Sequence, residues 1–240
     1  AGAAAAGAAA AAVWVPMVAI AQEIIPTQHQ GKAIGLMSSG TAYGVLINGL
    51  AVPIILPEYG WRFVWIFVFV ISVLALLWAW LRLSKLAHHT DQKNNLPQPT
   101  EAPATQSKPS LIGVFKQPAC LIILLMMFLN GIACMPAQNY LMSYLREDLG
   151  YTIAQASHAW TAIGLIGMVG GFIMGSVADK FSVHKSLVLT YLLLGIATGL
   201  FLHHSNTYEI YLAAAIFGLS FNAIFVLVPA FVSLNFSKSL

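Results

Sequence analysis

Residues 155–203 read QASHAWTAIGLIGMVGGFIMGSVADKFSVHKSLVLTYLLLGIATGLFLH. Two apolar runs flank a short turn that holds Asp179, Lys180, His184 and Lys185. A helix needs roughly 20 mostly apolar residues to cross about 30 Å of hydrocarbon, and the runs 155–178 and 186–203 meet that length. The stretch therefore predicts two membrane-crossing helices joined by a tight polar turn. Five more runs of the same kind occur, at 1–21, 33–56, 61–83, 118–145 and 208–234. Seven spans make an all-α integral membrane protein.

The composition agrees. Of 240 residues, 59% are hydrophobic and 8% charged, whereas a soluble domain carries roughly a quarter charged residues. Too little charge remains to coat a folded surface in water. A net charge of +3 gives no basic face for nucleic acid. Cys120 and Cys134 lie in one apolar run, about 20 Å apart along a straight helix, too far for a disulfide.

Residues 84–117 interrupt the pattern. They hold Lys85, His88, His89, Asp91, Lys93 and the prolines Pro97, Pro99, Pro103 and Pro109, a composition that reads as a flexible tether. The chain thus divides into three spans at 1–83, a linker at 84–117 and four spans at 118–240. Nine of the eleven basic residues fall on one side of the implied bilayer, leaving only Arg62 and Arg146 on the other. The positive-inside rule then places the linker and the C-terminus in the cytoplasm. The chain opens within an apolar run of ten alanines and two glycines and stops soon after Lys238. Such ends predict a fragment of a longer protein.

The turn Gly175-Ser-Val-Ala-Asp179-Lys180-Phe-Ser-Val-His-Lys185 is similar to the loop signature of the major facilitator superfamily. Gly175, Asp179, Lys180 and Lys185 match, while Ser182 stands where that family usually has glycine. Gly31-Lys32 and Gly60-Trp61-Arg62 resemble the entries to its fifth and sixth helices. Val13-Trp14-Val15-Pro16 echoes Val226-Leu227-Val228-Pro229, as a pseudo-repeat would. The resemblance implies part of a twelve-helix fold with two pseudo-symmetric halves, covering helices four to ten. It also implies a secondary transporter that moves a small organic solute by alternating access, as a multi-pass protein of the bacterial plasma membrane.

Its partners are then the lipid bilayer and a small-molecule substrate, with or without a co-transported ion. The unit is expected to be a monomer, with no cofactor, no metal and no enzymatic activity. On the resemblance, Gly175, Asp179 and Lys180 gate the cytoplasmic side; the alternative is a solvated helix end. Gly167, Gly171 and Gly175 recur every four residues, as do Gly40 and Gly44. Small-residue ridges of this kind let helices approach closely. The resemblance sets the two helices against each other between the halves, either as static packing or as a moving contact. Val45 follows Gly44, where the family's antiporter signature has proline.

Uncharged polar residues mark the expected substrate path. Asn130, Cys134 and Gln138 are spaced i, i+4, i+8 on one helix stripe, with Pro136 among them. Thr41, Gly44 and Asn48 form a second stripe, and Gly218, Asn222, Phe225 and Pro229 a third. Asn48 and Asn222 read equally well as hydrogen-bonding glue between helices. All eight carboxylates fall in loops or at helix ends, so no acid at membrane depth offers a proton relay. His158 is a lone histidine, and neither His88-His89 nor His203-His204 has metal-ligand spacing. A seven-helix receptor is the competing class, set against the glycine ridges and the linker that splits three spans from four.

Overall fold

The computed structural model describes residues 17, 25, 27–94, 118–203 and 205–235, with side-chain surroundings given for 34–81, 120–203 and 205–232. The helices are α1 (Thr27–Tyr59), α2 (Trp61–Asn94), α3 (Pro118–Ser143), α4 (Ile153–Lys180), α5 (Val183–His203) and α6 (Thr207–Asn235). A π-helical turn, Tyr144–Asp148, extends α3. Among the described residues there is no strand. All six helices are long and apolar enough to cross a membrane. The seventh expected span, 1–21, lies outside the described residues, as do the Val13-to-Pro16 echo and most of the linker.

One difference from the expected elements concerns α2. It has 34 residues and runs on to Asn94, into the stretch read as tether. At 1.5 Å per residue it is about 51 Å long, well beyond the ~30 Å hydrocarbon layer. Leu86, Ala87 and the lysines around them favour helix, and the first proline comes only at Pro97.

The turns are local chemistry. Gly60, between α1 and α2, has φ 76°, a left-handed conformation that glycine adopts without steric cost. Thr152 caps α4 reciprocally: Gln155 N donates to Thr152 Oγ1 at 3.2 Å, and Thr152 N donates to Gln155 Oε1 at 3.0 Å. Such a capping box is worth about 0.5–2 kcal/mol. Ser182 caps α5 through Lys185 N at 3.2 Å. Before α6, Asn206 Oδ1 accepts from Glu209 N at 2.9 Å. The Glu209 carboxylate in turn accepts from Ser205 N at 2.8 Å and contacts His203 Nδ1 at 3.0 Å.

The chain forms two compact units, residues 1–51 with 109–240, and residues 52–108. In the first, α6 packs against α4 and α5 and is the most buried of the helices. Its core joins Cys134, Leu141 and Leu145 with Ala156, Ala159, Ile163, Leu194, Ala197 and a row on α6 that includes Ile210, Phe217 and Phe221. Phe217 and Phe221 stack at 5.9 Å, and Phe225 meets Phe221 edge-on at 5.1 Å. A second cluster, Met174, Ala178, Leu187, Ala223 and Leu227, continues the seam. In the second unit α2 exposes Trp65, Phe69, Leu76 and Trp80. Polar side chains inside the helices bond to the preceding turn, as Thr161, Thr190 and Thr198 do to the carbonyls of Ser157, Ser186 and Leu194, which spares them a costly burial in lipid.

Candidate functional site

α4 is the helix on which the candidate residues converge. Its buried face is Ser157, Ile163, Met174 and a row of glycines and alanines. Without a Cβ, glycine lets another backbone come as close as its own Cα allows. A Cβ at Gly164 would strike the Leu46 backbone, with Leu46 Cα at 2.7 Å. At Gly218 it would strike Ile163, with Ile163 Cα at 2.8 Å, and at Gly170 it would meet Leu219 O at 2.6 Å. α4 is therefore clasped by α1 on one side and α6 on the other, both at backbone contact.

Gly167 and Gly171 sit where all three helices meet. At Gly167 the position of a Cβ is 2.5 Å from Asn222 Nδ2 on α6 and 3.3 Å from Ala42 Cβ on α1. At Gly171 it is 2.9 Å from Val226 Cγ2 and 3.3 Å from Ser38 Oγ. The α1 partners run Gly35 and Ser38 at Gly171, Ala42 at Gly167, Leu46 at Gly164 and Gly49 at Thr161, an antiparallel pairing. Gly175, one turn farther, meets only Val226 Cγ1 at 3.9 Å.

Gly40 and Gly44 do not belong to this contact. Both are exposed, with nothing within 4 Å of where a Cβ would stand, and the glycines of α1 that meet α4 are Gly35 and Gly49. The cause is the 3.6-residue period: Gly40 and Gly44 each lie about 160° around the helix from Ala42. Thr41 and Asn48 are also exposed, and Asn48 Nδ2 donates to Gly44 O at 2.9 Å.

The stripe on α3 is the packed side of that helix. Cys134 is fully buried in the core, with Asn130 and Gln138 half-buried beside it, and its thiol donates to Asn130 Oδ1 at 3.4 Å. Leu141 and Leu145 continue the same face inward. Cys134 is thus a core residue of this packing. Asn222 is buried as well: it is 2% exposed, inside the α4–α6 contact. Its Nδ2 donates to Gly218 O at 3.1 Å, while Oδ1 is buried without a partner. This three-helix junction is the feature that sequence reasoning missed, although the spacing of Gly218 and Asn222 carried the signal.

At the α4–α5 turn, Asp179 and Lys180 are exposed. Lys180 Nζ lies 5.5 Å from the Phe181 ring centre, and Asp179 pairs with no cation among the described residues. A crevice of about 220 Å³ opens between α3 and α5, lined by Pro136, Tyr140, Thr198 and Phe201 among others. It is smaller than a typical small-molecule site of roughly 300–1,000 Å³ and its walls are apolar. Tyr144 closes one end by donating to Phe201 O at 2.7 Å. Among the described residues no three His, Cys, Asp or Glu are grouped to hold a metal.

The family model described as Major Facilitator Superfamily matches residues 1–240. The chain is 28% identical over 182 residues to a metabolite transport protein of Haemophilus influenzae, covering 72% of this chain and 42% of that protein. It is 28% identical over 174 residues to the sialic acid transporter NanX of Escherichia coli, covering 70% of this chain and 39% of that one. The chain therefore spans about two fifths of the length of these relatives. No solved structure gives a significant match. With its apolar helices, these matches identify a multi-pass integral membrane protein and leave the receptor class without support.

Proposed function

Because the chain belongs to the major facilitator superfamily of membrane transporters, we propose that it is part of a secondary transporter that moves a small organic solute by alternating access. The observation that carries this reading is the contact of α1 with α4. On the family resemblance these are helices five and eight, one from each pseudo-symmetric half. Residues 1–83 and 118–240 then belong to the two halves, with the stretch between them and the C-terminus in the cytoplasm. A contact built from glycine, alanine and serine offers few side chains to interlock, so the halves can rock on it.

The solute path runs beside this contact. Thr41 and Asn48 supply polar groups from the open face of α1, and Asn130 and Gln138 from the margins of α3. Asp179, Lys180 and Gly175 form a gate at the α4–α5 turn, where a carboxylate finds a partner when the cytoplasmic side closes. The transporter acts as a monomer, and any coupling ion is bound without a carboxylate from the helices described.

Uptake into proteoliposomes tests the reading. The panel is neutral and acidic sugars, with sialic acid included for the relative that bears its name, each with and without a proton or sodium gradient. Saturable uptake of at least one solute is expected. Asp179→Asn is expected to slow it severalfold while leaving the protein folded, because the side chain is exposed and pairs with no cation among the described residues. Absence of uptake across the panel, together with access from one side only, overturns the reading.

A further inference from the structure

Asn222 presents a polar group that the packing leaves unmet. Its amide nitrogen is satisfied within its own helix, but Oδ1 is enclosed by α4 and α6 with no donor. A buried carbonyl oxygen without a donor is unfavourable in a protein interior, and more so where no water reaches it. Leucine has nearly the same shape and would carry no such penalty. The other asparagine amides on exposed faces, Asn48 and Asn139, reach the carbonyl four residues back and leave their oxygens accessible. Among the asparagines whose side chains are described, Asn222 alone has an oxygen that is both enclosed and idle.

The surroundings supply a donor one turn away. The Asn222 amide abuts Gly167, with Nδ2 its nearest atom, where α1 presents Ala42. Ser38 lies four residues earlier on α1, facing Gly171, and its hydroxyl donates to Gly35 O in its own helix at 3.0 Å. The pairing is antiparallel and, apart from Leu46, made by Gly35, Ser38, Ala42 and Gly49. Movement of α1 along α4 by about one helical turn (~5.4 Å) therefore brings Ser38 to the place of Ala42. The hydroxyl then exchanges its own-helix carbonyl for Asn222 Oδ1. Ser39 stands about 100° farther around α1 than Ser38, and no glycine of α4 meets it; Ser220 shares α6 with Asn222 and so does not respond to motion of α1.

We propose that Asn222 is a positioning residue of the transport cycle, whose idle Oδ1 accepts a hydrogen bond from Ser38 in the alternate conformation and so holds α1 in a second register on α4. The inference rests on the alternating-access reading. It assigns a role to a residue that touches no solute.

Spin-label distances in the full chain, reconstituted into proteoliposomes, test it. The labels are placed at Ile47→Cys on α1 and Phe172→Cys on α4, both exposed, after Cys120→Ser and Cys134→Ala remove the native thiols. Two distance populations are expected in this background. Ser38→Ala and Asn222→Leu are each expected to deplete the second by about three- to tenfold, the range of one interhelical hydrogen bond in a membrane. The double variant is expected to do no more than either alone, and Ser38→Thr, which keeps a hydroxyl, to restore the population. Should Asn222→Leu fail to fold, Ser38→Ala decides alone, since it removes one oxygen atom. Two populations unmoved by these variants, or additive losses, overturn the role of Asn222 and leave alternating access standing. A single population in the background protein overturns alternating access itself.

Discussion

Gly218→Val is expected to abolish folding of the α4–α6 pair, and Gly218→Ala to weaken it measurably. The atoms that a Cβ at Gly218 would meet are the Ile163 carbonyl oxygen, Cα and C, the last two at 2.8 and 2.9 Å. These are backbone atoms of a hydrogen-bonded helix, so no rotamer change relieves the clash. The helices must separate, and the stacked Phe217 and Phe221 beside the contact lose their packing. Overpacking of a core costs about 1–3 kcal/mol for a small intrusion and more for a large one. Thermal unfolding of the full chain in detergent measures it. Gly199→Ala is the reference, because nothing lies within 4 Å of that position. A Gly218→Ala transition several degrees below that reference is the expected result. Equal transitions would mean that α4 and α6 do not meet at backbone contact.

Gly164→Val is expected to reduce the maximal uptake rate at least tenfold, with a smaller loss of stability than Gly218→Val. A Cβ there strikes the Leu46 backbone of α1, whereas the α4–α6 contact at Gly218 and Gly170 is untouched. If α1 and α4 form the contact on which the halves rock, wedging them apart removes that pivot, and a loss of about 1.4 kcal/mol in the rate-limiting step is already tenfold. Gly40→Ala and Gly44→Ala supply the contrast. Both positions are open, so both variants are expected to transport at the unmodified rate. A larger effect at Gly44 than at Gly164 would sink the pairing.

That contrast also marks how far the sequence could be read. The glycine spacing on α4 pointed to a close helix contact, and Gly167 and Gly171 lie in one. The same spacing on α1 pointed to Gly40 and Gly44, yet Gly35 and Gly49 make the approach. Spacing alone says that residues share a face, never which face is covered. The α3 stripe meets the same limit. Asn130, Cys134 and Gln138 do share a stripe, but it packs inward, with Cys134 in the core. Asn222 was legible as glue or as a solute ligand, and the structure adds that it is buried between α4 and α6.

Sequence by itself determined that the chain is a set of apolar helices, where most of them begin and end, and which family it belongs to. The bilayer makes this possible: it demands only about 20 apolar residues per crossing and a satisfied backbone, and both demands are written in linear order. Tertiary structure alone decided which faces meet. In water a helix shows its buried side by segregating polar from apolar residues, but in lipid both sides are apolar and the sequence carries no such contrast. The choice falls to steric fit: whether a missing Cβ at Gly164, Gly167, Gly171 or Gly218 has a partner that fills the gap.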